Sequence, residues 1–108
     1  MIPQLTALDL AARLKSSNPP HLLDVRQAEE HAFVSLPGSR LMPLNDLPLR
    51  WRELEAWKDA EVVVYCHHGI RSLQGAGFLR QQGFGQVSSL AGGIEAWAVA
   101  VDPGLPRY

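Results

Sequence analysis

The apolar run Val62-Val63-Val64-Tyr65 restricts the fold of this chain more than any other segment. Its residues are β-branched or aromatic with no polar side chain among them, which is typical of a strand buried on both faces. Such strands lie inside parallel sheets that helices cover on both sides. Shorter apolar runs alternate with helical patterns along the rest of the chain. The predicted fold class is therefore α/β, with three layers and a central, mostly parallel sheet flanked by helices.

Five helices and two further strands are predicted around the strand 61–65. Thr6 is expected to cap a first helix that ends near Lys15, and Ser72 to cap a helix that Gly83 closes. The other two strands are predicted at 21–25 and 86–90, and two of the other helices at 27–33 and 94–99. The remaining helix is expected to begin after a cap at Asn45 or Asp46, and its residues Leu47, Trp51, Leu54 and Trp57 share one side. These elements form one domain over residues 1–108, with a core at about 4–98 and a C-terminal tail at 99–108.

The composition supports a single small domain and excludes several classes of protein. A chain of 108 residues is too short for two separate cores, and its hydrophobic fraction of 46% excludes disorder. The net charge of −1 offers no basic face, so neither nucleic acid nor a membrane is expected as a partner. No signal-peptide pattern follows Met1, and the single cysteine cannot form an internal disulfide. We therefore expect a cytoplasmic location, and a monomer because nothing indicates an obligate dimer.

Cys66 is the candidate nucleophile because of where it stands. It follows the best predicted strand, and ligands of open parallel sheets bind beyond the carboxyl ends of the strands. A short loop with a glycine can turn its N–H groups toward an anion, the next helix adds partial positive charge, and Arg71 adds a full one. All three favour the thiolate over the thiol. A lone cysteine is often only a small buried hydrophobe, but this combination of features favours catalysis.

The stretch Cys66-His67-His68-Gly69-Ile70-Arg71-Ser72 resembles the active-site loop of rhodanese-type sulfurtransferases, Cys-x-x-Gly-x-Arg-Ser/Thr. Three other stretches resemble the patterns of that family in the same order: Leu22-Leu23-Asp24-Val25-Arg26, then Leu36-Pro37-Gly38-Ser39 with Met42-Pro43-Leu44, and Leu90-Ala91-Gly92-Gly93 with Trp97. The resemblance covers about residues 4 to 98 and implies a single rhodanese-like domain.

The resemblance implies an enzyme of the thiosulfate:cyanide sulfurtransferase type. In that reaction, Cys66 takes a sulfane sulfur from a thiosulfate-like or persulfide donor and holds it as a persulfide. A thiophilic acceptor such as cyanide or a thiol then removes the sulfur, and a protein could also serve as the acceptor. The anion-binding loop would consist of His67, His68, Gly69, Ile70, Arg71 and Ser72.

Four further residues are expected to support the site. Asp24 and Arg26 are expected to form an ion pair at the end of a strand, and Gly92 and Gly93 to serve backbone geometry close to the loop. No cofactor and no metal are expected. Cys66, His67 and His68 are too close together to chelate one tetrahedral ion with ease.

The chain departs from the family pattern at two places. Val34-Ser35 replaces a frequent Gly-His pair, which removes any role of that histidine. His67 and His68 stand where some thiosulfate-using members carry Arg or Lys. A neutral imidazole holds a sulfonate less firmly than a fixed cation, so thiosulfate is expected to bind weakly.

Two other functions fit parts of the pattern. Cysteine-dependent phosphatases and arsenate reductases share the strand–loop–helix arrangement, but their loops have five residues between Cys and Arg. Here four residues separate Cys66 from Arg71, which makes a tighter loop that suits a single sulfur better than a phosphoryl group. A non-catalytic rhodanese-like binding module is the other alternative, although such a module would be expected to lack the cysteine.

Overall fold

The centre of the molecule is a parallel sheet of five strands, in a computed structural model that describes all of residues 1–108. The strands lie in the order β1-β5-β4-β2-β3, and every neighbouring pair is parallel. Their bounds are β1 Gln4–Leu5, β2 His21–Asp24, β3 Arg40–Leu41, β4 Glu61–Tyr65 and β5 Gln86–Leu90. The valine-rich strand is therefore the central one, as its two apolar faces predict, and the predicted α/β class is confirmed.

Five α-helices and two 3₁₀ segments cover the sheet. The helices are α1 Ala7–Leu14, α2 Ala28–Phe33, α3 Leu47–Arg50, α4 Ile70–Gln81 and α5 Gly93–Ala100, and the 3₁₀ segments are Leu44–Asp46 and Trp51–Trp57. Thr6 caps α1 as predicted, because its side chain accepts a hydrogen bond from the N–H of Asp9 at 3.1 Å. None of the helices has the length and apolar character that crossing a membrane requires.

Alternate residues of β4 belong to two separate hydrophobic cores. Val62 and Val64 pack with Cys66 on the face that α3 and α4 cover, whereas Val63 and Tyr65 pack on the face of α1 and α5. Every one of these residues is at most 1% exposed. Cys66 continues the alternation one residue past the strand, which directs its side chain toward α4.

The predicted continuous helix after Asp46 is wrong. The chain instead forms the short helix α3 and then a 3₁₀ segment that carries Trp51, Leu54 and Trp57. Residues three apart lie on one face of a 3₁₀ helix, whereas an α-helix would turn Trp57 well away from Trp51. Because all three side chains pack against the same core, that packing favours the tighter helix.

The strands β1 and β3 were not predicted from the sequence. Each contains two residues and lies at an edge of the sheet, so neither has an alternating pattern that could be recognised. Their pairing depends on neighbours that are distant in the sequence. Gln4 lies opposite Ser89, and Arg40 lies opposite Leu23.

Two glycines of α4 allow a matched test of the packing between this helix and the sheet. A Cβ on Gly75 would lie 3.3 to 3.4 Å from the side chains of Val25, Leu47 and Val64, whereas a Cβ on Gly77 would meet only Ile2, at 4.0 Å. We expect Gly77→Ala to stabilise the protein by about 0.5–1 kcal/mol, the usual gain of alanine over glycine in a helix. Gly75→Ala should instead destabilise it by about 1 kcal/mol, because crowding outweighs that gain.

Urea denaturation of the two variants and the wild type measures both effects. The interpretation of α4 as tightly packed at Gly75 and open at Gly77 is wrong if the two substitutions shift the midpoint in the same direction.

Candidate functional site

The sulfur of Cys66 lies inside the loop that joins β4 to α4, and the residue is only 1% exposed. The backbone N–H groups of Gly69 and Ser72 donate to Sγ at 3.1 and 3.4 Å. The hydroxyl oxygen of Ser72 lies 3.5 Å from Sγ. The N–H of Ser72 belongs to the first turn of α4, where backbone donors have no partner within the helix. Both a loop amide and a helix N-terminus thus stabilise negative charge on the sulfur.

Ser72 does not cap α4, so that prediction is wrong. The helix begins two residues earlier at Ile70, and Gly69 occupies the N-cap position with a φ of +100°. A glycine is favoured in this left-handed conformation, because a Cβ there would cause strain. The Ser72 side chain is instead buried beside Sγ. The polar side chain of Ser72 suggested a helix cap, but the helix begins at the tight turn of Gly69 without a side-chain cap.

The start of α5 holds the other side of the loop. The N–H groups of Ile94 and Glu95 donate to the carbonyl oxygens of Cys66 and His67, at 2.9 and 3.1 Å. This approach requires a glycine at position 93, where a Cβ would lie 2.4 Å from the His67 oxygen. Gly92 also has a positive φ of +73° and caps the helix. The two glycines therefore take part in the close contact with the loop that the sequence suggests for them.

Arg71 forms an ion pair with Glu30 of α2. Its Nη1 and Nη2 donate to the two carboxylate oxygens at 2.8 and 3.1 Å. The hydrogen bond from Arg71 lowers the pKa of Glu30 to about 2, and the same contact raises the pKa of Arg71. The positive charge that the sequence assigns to the loop is thus balanced by a carboxylate that the sequence analysis did not single out.

The expected ion pair between Asp24 and Arg26 lies next to the site and is fully buried. Nε and Nη2 of Arg26 donate to the carboxylate of Asp24 at 2.9 and 2.7 Å, and Nη2 also donates to the carbonyl oxygen of Val34 at 2.6 Å. His31 Nδ1 lies 2.8 Å from the same carboxylate. Burial alone would lower the pKa of Arg26, but its hydrogen bonds to Asp24 and Tyr108 raise it above the ordinary value.

Tyr108, in the predicted tail, contacts the site. Its hydroxyl accepts a hydrogen bond from Arg26 Nη1 at 2.6 Å and donates one to Glu30 at 2.7 Å, while its ring stacks on His67 with centroids 3.8 Å apart. Sequence analysis missed this residue, because its hydrogen-bond partners lie 82 and 78 positions away and no motif marks it. Glu30 and the tail together tie the loop to α2.

His67 is half-buried, whereas His68 is exposed. The His67 ring stacks between Tyr108 and His68, at 3.8 and 3.9 Å between centroids, and its Nε2 is buried without a hydrogen-bond partner. Burial lowers the pKa of His67, and the charge of His68 lowers it further. His67 is therefore neutral at neutral pH and adds no cation to the loop.

Glu30→Gln tests how much the ion pair with Arg71 contributes to stability. The pKa of Glu30 falls from 4.5 to about 2 on folding, so its contribution is complete above pH 4.5 and is lost as the pH falls toward 2. We expect the variant to lose about 1 kcal/mol at pH 7, since partial exposure screens the pair, and progressively less below pH 4.5.

Chemical denaturation at pH 7 and at pH 3 measures this difference, with Glu29→Gln as the control, because Glu29 is exposed and forms no ion pair. A loss of stability in Glu30→Gln that is equally large at both pH values would show that the charge of Glu30 is not its cause.

Comparison with known proteins agrees with this arrangement. The sequence profile described as "Rhodanese-like domain" matches residues 6–100. A protein from Allochromatium vinosum described as a sulfurtransferase is 38% identical over 98 residues, which cover 91% of this chain and 90% of that protein. The putative sulfur carrier protein YrkF of Bacillus subtilis is 30% identical over 89% of this chain. The structure of the human single-domain sulfurtransferase TSTD1 matches with a TM-score of 0.78 at 26% identity, over 93% of this chain and 98% of that one.

Several other relatives are longer proteins. The chain spans 51% of YrkF and between 21% and 30% of plant, fungal and mycobacterial relatives. The match to the family profile nevertheless extends from the start of α1 to the end of α5, and includes Cys66 and its loop. This chain therefore belongs to the rhodanese-like domain family.

Proposed function

We propose that this protein is a sulfurtransferase that carries sulfane sulfur as a persulfide on Cys66. The observation that carries the proposal is the pair of backbone N–H groups, from Gly69 and Ser72, that donate to Sγ. Hydrogen bonds to an ionised sulfur favour the thiolate, which is the nucleophilic form of cysteine. No separate base is then needed to start the reaction.

In the proposed first step the Cys66 thiolate attacks the outer sulfur of the donor. A new S–S bond forms at Cys66, the S–S bond of the donor breaks, and its electron pair leaves with the remainder, which is sulfite when thiosulfate is the donor. In the second step an acceptor such as cyanide or a thiolate attacks the terminal sulfur of the persulfide. The electron pair of the broken bond returns to Cys66, which restores the thiolate.

The loop offers further donors to the terminal sulfur of such a persulfide. The backbone N–H groups of His68, Ile70 and Arg71 make no hydrogen bond within the protein. Unpaired amides in a short loop at a helix N-terminus are suited to a bound anion. We assign the anion-binding role of residues 67–72 mainly to these backbone groups, since the Arg71 side chain is bound to Glu30.

The charges around Cys66 favour a donor that carries little negative charge. Arg71 and Arg26 are each paired with a carboxylate, and His67 is neutral. A thiosulfate dianion would therefore meet no unpaired fixed cation in these groups, whereas a persulfide donor has less need of one. We propose that thiosulfate is a poor sulfur donor for this protein and that a persulfide is a better one. We also propose that the protein acts in the reducing cytoplasm.

A protein is proposed as one acceptor of the sulfur. The support comes from two relatives, one named as a putative sulfur carrier protein, YrkF, and one as the plant adenylyltransferase and sulfurtransferase MOCS3. Ile70, which is 71% exposed beside the loop, leaves an apolar contact open for such a partner.

Phosphatase activity is the less favoured alternative. A phosphoryl group needs an arginine that is free to bind two of its oxygens, and both Nη atoms of Arg71 already bind Glu30. The loop is also one residue shorter than the phosphatase pattern.

Cys66→Ser tests the proposed persulfide directly. The chain has no second thiol, so the variant should take up no sulfur and produce no thiocyanate. Intact-mass spectrometry after incubation with thiosulfate should detect one added sulfur atom on the wild type only. Circular dichroism controls for folding, and substantial sulfur transfer by the folded variant would refute the assignment of Cys66.

His68→Arg tests the proposed reason for weak use of thiosulfate. His68 is exposed at the loop, so an arginine there can reach the donor, and His67 keeps its stacking contact with Tyr108. We expect kcat/KM for thiosulfate to rise about five- to thirtyfold, equivalent to about 1–2 kcal/mol for a charge-assisted contact.

Added salt should reduce this gain, because an exposed charge is screened. His68→Gln removes the imidazole without adding charge and is the matched control. If the arginine and glutamine variants use thiosulfate equally well, the charge of the loop does not limit its use.

A further inference from the structure

Two buried hydroxyl groups form a short polar chain with the sulfur of Cys66. Ser72 Oγ lies 3.5 Å from Sγ and 2.7 Å from Ser89 Oγ, and both serines are completely buried. Ser89 lies on β5 opposite Val64 of β4, which places it on the same face of the sheet as Cys66. Its hydroxyl has no other hydrogen-bond partner. The only hydrogen bond from the Ser89 side chain to the site therefore goes to Ser72.

The number of protons shared by Sγ and the two serine hydroxyls depends on whether the sulfur is a thiol or a thiolate. Three atoms in a row are joined by two hydrogen bonds, and each bond uses one proton. With a neutral thiol there are three protons, so one hydrogen is left without an acceptor. The thiol form uses the bond between sulfur and Ser72 with Sγ donating to Ser72 Oγ. With a thiolate there are two protons, and both would be used in the opposite direction: Ser89 would donate to Ser72, and Ser72 to Sγ. A buried donor without a partner raises the free energy of the folded protein, so this row of hydrogen bonds favours the thiolate.

Ser89 also decides where the Ser72 hydroxyl points. Ser72 lies in the first turn of α4, where a serine hydroxyl can turn back to a carbonyl oxygen of the preceding turn. A hydroxyl that does so no longer donates to the sulfur. When the Ser89 hydroxyl donates to Ser72 Oγ, it holds that oxygen in place and polarises its O–H toward Sγ.

We infer that Ser89 is a positioning residue for Cys66, which acts through the Ser72 hydroxyl to favour the thiolate. The inference rests on the proposed function only in that a thiolate is the species that would attack the sulfur donor. Neither the cysteine loop nor the glycine pair contains Ser89, and its hydroxyl forms no hydrogen bond with Sγ. Its effect should therefore appear in the ionisation of Cys66 and vanish when Ser72 lacks its hydroxyl.

The test compares the rate of Cys66 alkylation by iodoacetamide against pH in Ser89→Ala and in the wild type. Removal of the hydroxyl should raise the midpoint of this profile by about 0.5 to 1 pH unit. At pH values below the midpoint, this shift corresponds to about three- to tenfold less thiolate. Ser88→Ala is the matched control, because Ser88 is the buried neighbour on the other face of β5 and its hydroxyl makes no hydrogen bond.

Other ionisable groups around the loop are the same in all of these variants, so their influence on the profile cancels in the comparison. They come from every element that surrounds Cys66, namely Asp24 at the end of β2 and Arg26 after it, Glu30 in α2, His67 and His68 in the loop, Arg71 in α4, Glu95 in α5, and Tyr108. Ser89→Thr keeps a hydroxyl at this position and should keep the wild-type midpoint.

A double-mutant cycle separates positioning from a general loss of packing. Ser72→Ala should raise the midpoint by itself, and adding Ser89→Ala should raise it no further. The inference is overturned if Ser89→Ala has the midpoint of Ser88→Ala, or if its shift persists in full without the Ser72 hydroxyl. Should the Ser89→Ala variant fail to fold, a raised midpoint in Ser89→Thr would equally count against the inference.

Failure of this inference can be distinguished from failure of the proposed function, because alkylation requires no sulfur donor. If the wild type takes up no sulfur from thiosulfate or a persulfide but Ser89→Ala still shifts the alkylation profile, the function is wrong and the positioning role stands. If the wild type takes up sulfur normally but Ser89→Ala does not shift the alkylation profile, the proposed function stands and the positioning role of Ser89 is wrong.

Discussion

Two backbone hydrogen bonds, from the first turn of α5 to the carbonyl oxygens of Cys66 and His67, are the contact on which the site depends. They bind these two carbonyls to α5, while the N–H groups of Gly69 and Ser72 donate to the sulfur. The contact exists only because position 93 has no side chain, since a Cβ would lie 2.4 Å from the His67 oxygen. The loop, the start of α4 and the start of α5 therefore form one backbone unit around Sγ.

The groups that form hydrogen bonds with the sulfur are all neutral. The two arginines of the site are each bound by a carboxylate, Arg26 by Asp24 and Arg71 by Glu30. Sγ itself is contacted by two backbone amides and one hydroxyl. The two backbone amides are held by the fold and need no reorganisation when charge moves on or off the sulfur, which suits an atom that is alternately a thiolate and a persulfide in the proposed cycle.

Sequence analysis was accurate where the determining pattern is local. The strand β4 and the loop after it could be predicted because the valine run and the cysteine-to-arginine spacing each lie within a few residues. The partners of this loop could not be predicted in the same way. Tyr108 reaches Arg26 across 82 residues, and Ser89 reaches Ser72 only through the sheet register. The 3₁₀ segment was missed because a spacing of three resembles the helical pattern until packing selects between them.

The enclosure of Cys66, which is 1% exposed, also determines the shape of the molecules that it can react with. A sulfane sulfur is the last atom of its donor and can project into a narrow opening ahead of the rest of the molecule. Each sulfur of an ordinary disulfide carries a carbon chain on one side and a second sulfur on the other, so it cannot enter in the same way. On the proposed mechanism, the recessed sulfur would therefore react faster with a terminal sulfane sulfur than with the more hindered sulfurs of a disulfide, which would slow mixed-disulfide formation.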